Sequence, residues 1–135
     1  MTVSDIARRS GVPVHVVRYY TRIGLLKPSR NPRNGYKQYE DSDLSRLRFI
    51  RQAKSLGYKL DEIDRIFRES SRGKSPCPMV RCIIGNRIEE NRLRLKELAA
   101  LQRRMERALA KWAKLPDGKP DGHTVCYLIE STAGM

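Results

Sequence analysis

Residues 4–26 read SDIARRSGVPVHVVRYYTRIGLL. Ser4 is placed to cap a first helix over DIARRSG, with Ile6 as its inward side chain and Gly11 ending it. Pro13 suits the first turn of a second helix, along which Val16, Val17, Tyr20, Ile23 and Leu25 recur at helical spacing. A helix of about two turns, a glycine-containing turn and a second helix make a helix-turn-helix. Many small helical domains share that pattern, so the flanking residues must decide.

The next stretch, residues 27–43, is KPSRNPRNGYKQYEDSD. Asn34-Gly35 is the favoured dipeptide of a two-residue hairpin turn, and Tyr36, Gln38 and Tyr39 are strand-compatible flanks. Lys27, Arg30, Arg33 and Lys37 are interleaved with those aromatics. A basic hairpin directly after a helix-turn-helix is the layout of a winged DNA-binding domain. Asp41, Ser42 or Asp43 caps a third helix with Leu44, Leu47, Ile50, Ala53 and Leu56 on one face, closed by Gly57. KLDEIDRIFRES follows as a fourth amphipathic helix with Leu60, Ile63, Ile66 and Phe67.

Beyond the polar break RESSRGKSP, residues recur at Ile84, Ile88, Asn91, Leu95, Leu98, Gln102, Met105, Leu109 and Trp112. Intervals alternating four and three over four heptads form a coiled-coil seam, in which Asn91 and Gln102 fix register at some cost in stability. Self-association through this helix is therefore expected. The Gly- and Pro-rich end cannot prolong the helix, and its TVCYLIES is long enough for one short helix or strand. The expected organisation is mainly α. A winged helix-turn-helix domain spans 1–72, a long antiparallel coiled-coil dimerisation helix 73–114, and a short effector-binding tail 115–135.

Composition agrees. The 135 residues carry a net charge of +13, and so basic a surface attracts polyanions, either nucleic acid or an acidic membrane. No run of eighteen apolar residues marks a transmembrane span, and MTVSDIARRSG lacks the apolar core of a signal peptide, so a cytoplasmic location without membrane contact is expected. In that reducing compartment the three cysteines, Cys77, Cys82 and Cys126, read as metal-binding, redox-active or inert rather than disulfide-bonded.

The chain resembles the mercury-resistance-regulator (MerR) family over about residues 2–70, and the dimer helix fits as well. The likeness rests on RYY…GLL.P.R…GY..Y, followed by A..LGY.L.EI. The resemblance implies a winged-helix dimer joined by an antiparallel coiled coil. Such proteins bind a palindromic operator between two promoter elements spaced too far apart. They activate when an effector makes the dimer distort the DNA so that RNA polymerase reads both elements. Distorting a site costs of order 1–6 kcal/mol, and the effector must favour the distorted complex by a comparable amount.

On this footing Arg18 and Tyr19 of the second helix contact phosphates and base edges. Arg33, Tyr36 and Lys37 of the wing hold flanking backbone with Tyr39 bracing them, and Lys27 and Lys59 add cations. Tyr20 is either a DNA contact or a core tyrosine. Binding resting on so many phosphate contacts should be strongly salt-dependent.

The resemblance also bears on the thiols. A helix over about residues 79–112 is roughly 50 Å long at ~1.5 Å per residue. Cys77 and Cys126 then lie near opposite ends of it, and an antiparallel dimer brings Cys77 of one copy to Cys126 of the other, twice by symmetry. Thiolates select soft metals such as mercury, cadmium, lead, zinc or copper(I). Within the family a cysteine at the entrance of the dimer helix, matched by Cys77, resembles sensors of divalent soft metals, and Cys126 matches the tail cysteine.

This chain departs from its relatives just past the helix, where KWAKLPDG has no cysteine and Trp112 stands nearby. A third ligand would come from Cys82 or His123, and Cys82, five positions from Cys77, is a structural thiol or a ligand. Two thiolates alone suit linear mercury(II), since zinc generally takes four ligands.

The expected function is thus a metal-responsive regulator of a metal-resistance promoter. The alternatives are a thiol-redox or electrophile-responsive regulator of the same fold, or a constitutive architectural DNA-binding protein. An enzyme is not expected from a sequence with only His15 and His123 as histidines and with no carboxylate cluster or phosphate loop.

Overall fold

The computed structural model describes residues 1–132. The last three residues of the expected effector tail therefore lie outside the described residues. Its elements are α1 (Val3–Ser10), α2 (Val14–Arg22), β1 (Ser29–Arg30), β2 (Lys37–Gln38), α3 (Asp41–Ser55), α4 (Leu60–Ser71), α5 (Cys77–Trp112) and α6 (Tyr127–Glu130). They fall into two compact units, Met1–Gly85 and the residues from Asn86 onward.

In the first unit, α1 is capped by Thr2 rather than Ser4. The Thr2 hydroxyl accepts from the Asp5 N–H at 3.1 Å, and the Asp5 carboxylate accepts from the Thr2 N–H at 3.0 Å. Only Thr2 has an acid three residues on, so only Thr2 can form this reciprocal box. α3 likewise starts one residue earlier than expected, after Glu40. The Asp43 carboxylate turns back to the Glu40 N–H at 3.0 Å and also takes the Lys27 N–H at 3.2 Å.

Helices α2 and α3 end in the same way. Gly24 and Gly57 adopt φ of 87° and 90°, which a side chain would strain. The residue after each glycine then donates back five positions, Leu25 to Tyr20 O at 2.9 Å and Tyr58 to Ala53 O at 3.1 Å. Leu25 and Tyr58 are both buried, so each terminating turn also feeds the core.

That core gathers Ile6, Val17, Leu26, Leu47, Ile50 and Ile63, all essentially inaccessible. The first turns of α5 join it: Met79, Val80, Ile83 and Ile84 pack against it, and the Tyr58 hydroxyl donates to Val80 O at 2.8 Å. Packing thus carries the first unit past residue 72, and Ile84, expected as the first seam position, is half-buried in this unit.

The second unit is built from the rest of α5 and from α6. Among its described residues only Ala108 is buried, while Ile88, Leu95, Leu98, Met105 and Leu109 are all exposed. No helix of the described residues is long and apolar enough to cross a membrane.

Candidate nucleic-acid interface and thiol sites

α2 begins just after Pro13, whose extended backbone (φ −60°, ψ 147°) turns the chain directly into the helix. Val17 and Tyr20 point into the core, which leaves Arg18, Tyr19 and Arg22 outside. The Arg22 guanidinium sits 5.4 Å from the centre of the Tyr19 ring, a cation–π contact that holds both side chains. Tyr20 is 9% exposed and packs in the core, the placement that one of its two expected roles requires. Burial, with a smaller contribution from Tyr19, pushes its phenol pKa upward.

The wing is less compact than a two-residue hairpin. Ser29 pairs with Gln38 and Arg30 with Lys37, so six residues, 31–36, form the loop. Asparagines rather than a tight turn shape it. The Asn31 side-chain oxygen accepts from the Arg33 N–H at 2.8 Å, that of Asn34 from the Tyr36 N–H at 2.9 Å, and Gly35 N–H donates to Asn31 O at 2.8 Å. This loop presents Tyr36 at 74% exposure, a large aromatic displayed on a tied backbone.

Tyr39 does the reverse. It is 2% exposed, its hydroxyl pairs with that of Thr21 at 2.7 Å, and its backbone bonds with Met1 in both directions at 2.7 Å. Tyr39 therefore braces the wing from beneath, fastening it to α2 and to the start of the chain.

Between α1, α2 and the wing lies a groove of about 500 Å³, lined by Thr2, Val3, Arg18, Arg22, Tyr36, Lys37 and Tyr39. It brings together Arg18, Tyr36 and Lys37 from separate elements, with three cations and no carboxylate among its lining residues. Such a concave cationic surface concentrates field on a polyanion. Lys27, Arg33 and Lys59 are exposed outside this groove, Lys59 at the start of α4, where its N–H donates to Glu62 Oε1 at 2.8 Å.

Arg22 is the residue that sequence reasoning missed. Its position four after Arg18, one turn on along the exposed face, is the signal that could have found it. Other arginines are internal ties. Arg51 Nη1 donates to Ser10 O at 2.8 Å, and Arg46 donates to Leu25 O at 3.3 Å while stacking 4.3 Å from the Phe67 ring centre.

Cys77 is the first residue of α5. It is an exposed free thiol on the rim of an apolar groove of about 720 Å³ that also includes Phe49, Leu56, Tyr58 and Val80. Cys82 is exposed on the same helix, and Cys126 is a half-exposed free thiol immediately before α6. His123 is exposed in the tail loop. The Asp121 carboxylate accepts from the N–H groups of His123 at 2.9 Å and Thr124 at 2.8 Å, and these donors hold its pKa below the ordinary value. Among the described residues, no three His, Cys, Asp or Glu side chains of one chain gather into a metal-binding cluster. Cys77 belongs to the first unit and Cys126 to the second.

Comparison with known proteins places this architecture. The family model described as MerR HTH family regulatory protein matches residues 1–70, and that described as MerR, DNA binding matches residues 44–108. The HTH-type transcriptional regulator HmrR of Sinorhizobium medicae is 33% identical over 138 residues, covering 98% of this chain and 86% of that protein. The mercuric resistance operon regulatory protein of Serratia marcescens is 29% identical, over 99% and 88%. The crystal structure of the transcription regulator PbrR691 from Ralstonia metallidurans, in complex with lead(II), shares the fold. Its TM-score is 0.77 at 24% identity, over 97% of this chain and 98% of that one. A DNA-binding helix-turn-helix with its wing, a long helix behind it and these relatives together establish that the chain belongs to the MerR family of transcriptional regulators, which are not enzymes.

Proposed function

We propose that this chain is a homodimeric, metal-responsive activator of transcription in the cytoplasm. It holds promoter DNA with the groove of Arg18, Arg22, Tyr36 and Lys37, helped by Tyr19, Lys27, Arg33 and Lys59. RNA polymerase is its downstream partner. A thiophilic ion is held between Cys77 of one copy and Cys126 of the partner subunit, with Cys82 and His123 as further donors.

The observation that carries this reading is α5. It opens on an exposed thiol, runs 36 residues with the heptad apolar positions Ile88, Leu95, Leu98, Met105 and Leu109 exposed, and is followed in the tail by a second thiol. A helix of that length spans about 54 Å at ~1.5 Å per residue. Antiparallel pairing covers the exposed stripe and sets the start of one helix beside the end of the other. The donor set fits a soft divalent ion, and relatives named for heavy-metal and mercuric regulation support that class. Two thiolates suit mercury(II), while lead, cadmium or zinc would require Cys82 or His123 as well.

The test is a titration of the reduced protein with mercury(II), cadmium(II), lead(II) and zinc(II). Thiolate-to-metal absorption and run-off transcription from a promoter with an over-long spacer are followed together. Metal-dependent transcription lost in Cys77→Ser and in Cys126→Ser supports the proposal. DNA binding with no metal response would overturn it, and induction by peroxide or diamide without metal would mark the same thiols as redox sensors.

A further inference from the structure

The loop joining α5 to α6 contains two glycines with different reasons for being glycine. Gly122 has φ of 90° with open space around it, so the turn itself requires it. Gly118 is not among the glycines with positive φ, yet a Cβ there would lie 2.4 Å from Cδ1 and 2.6 Å from Cε1 of Tyr127. The aromatic ring occupies the place of a side chain at 118, and the Tyr127 hydroxyl donates to Pro116 O.

Tyr127 is the residue after Cys126 and the first of α6. The other flank of Cys126 is fixed separately. Asp121 collects the His123 and Thr124 N–H groups, Val125 N–H donates to Glu130 Oε1 at 3.4 Å, and Cys126 O accepts from Glu130 N–H at 3.1 Å.

We propose that Gly118 and Tyr127 form a clasp that positions the Cys126 thiol for effector capture; the inference rests on the assignment of Cys126 as an effector ligand. A methyl group added at 118 would occupy the place of the Tyr127 ring and force the ring away. Displacing the ring pulls against its hydrogen bond to Pro116 O, and on this proposal the shift is passed through the adjoining backbone to Cys126.

The experiment compares full-length reduced wild type with Gly118→Ala, Tyr127→Ala, the double variant and Cys126→Ser. Four quantities are read: the site-resolved rate of Cys126 alkylation by iodoacetamide, that of Cys77, mercury(II) affinity by competition with a thiol chelator, and operator affinity without metal. Gly118→Ala and Tyr127→Ala are each expected to speed Cys126 alkylation severalfold. Mercury(II) affinity should weaken by about 10–100-fold, as for other groups that orient a metal ligand. Cys77 alkylation and operator affinity should stay at wild-type values.

Without the ring the added methyl at 118 has nothing to displace, so the double variant should match Tyr127→Ala rather than sum the two effects. Unchanged Cys126 alkylation and mercury(II) affinity in Gly118→Ala, or additive effects in the double variant, would overturn the clasp. Wild-type mercury(II) affinity in Cys126→Ser would instead remove the effector assignment, and Cys126 alkylation in the other variants would then decide the clasp alone.

Discussion

The two units of this chain treat their apolar residues in opposite ways. In the first, α1 to α4 and the opening turns of α5 close over one core, and the large aliphatic side chains Leu47, Ile50 and Ile63 are inaccessible. In the second, Leu95, Leu98 and Leu109 are 65%, 60% and 66% exposed, and among the described residues Ala108 alone is buried. A contiguous apolar stripe left in water is unfavourable and marks an interaction surface. The difference teaches that the DNA-binding unit is specified by its own contacts, whereas the long helix leaves its stripe uncovered within its own unit, the stripe that the proposed dimer assigns to a second copy.

The sharpest way to break that contrast is to charge the stripe. Leu98 is midway along the seam, so in a symmetric antiparallel pair Leu98→Asp sets a carboxylate near its own copy. Association should weaken by roughly 4–8 kcal/mol, the range of dominant interface positions, measured by sedimentation. Urea unfolding of the DNA-binding unit should be untouched.

Ile50→Ala makes the converse cut. It should cost the first unit about 2–5 kcal/mol in urea unfolding, through lost burial and the cavity left behind. A similar loss from Leu98→Ala in that unfolding transition would contradict the division of labour.

Within the first unit, contact and brace can be separated. Arg18→Ala should cost about 1–3 kcal/mol of operator affinity, and Lys37→Ala should lower the salt slope of binding by about one. Tyr39→Phe should cost only about 0.5–1.5 kcal/mol of stability through its lost bond to Thr21, with the salt slope unchanged.

The smallest effect is one of pH. The Asp5 carboxylate is held below its usual pKa of 3.8, chiefly by the Thr2 N–H and hydroxyl. A depressed folded pKa contributes stability above the unfolded value and loses it as pH falls through the folded one. The α1 cap should therefore weaken only in acid below about pH 3.8, and Thr2→Ala should move the Asp5 titration upward, as NMR can follow.

Much of this was legible beforehand, because helix periodicity, Gly11, Gly57 and the heptads act locally. What escaped depends on neighbours. Ser4 is as good an N-cap type as Thr2, but the choice turns on which of them has an acid at the third following position. Asn34-Gly35 favours a tight hairpin, yet the side chains of Asn31 and Asn34 close a six-residue loop instead. Tyr20 and Tyr39 carry the same side chain as Tyr36, and only packing distinguishes core and brace from a tyrosine displayed on the wing. The net charge of +13 marks a polyanion partner but counts Arg46 and Arg51, which tie helices together. The thiols are legible as a soft donor set, but no three metal-ligating side chains gather among the described residues of one chain, and the proposed site takes its second thiolate from another copy.

The most direct test therefore uses two chains that differ. A heterodimer carrying Cys77→Ser on one chain and Cys126→Ser on the other retains one Cys77 and one Cys126, on opposite subunits. If the site is shared across the interface, this heterodimer binds one thiophilic ion at wild-type affinity, half the wild-type stoichiometry. No high-affinity ion, or two, would contradict a site built from both subunits.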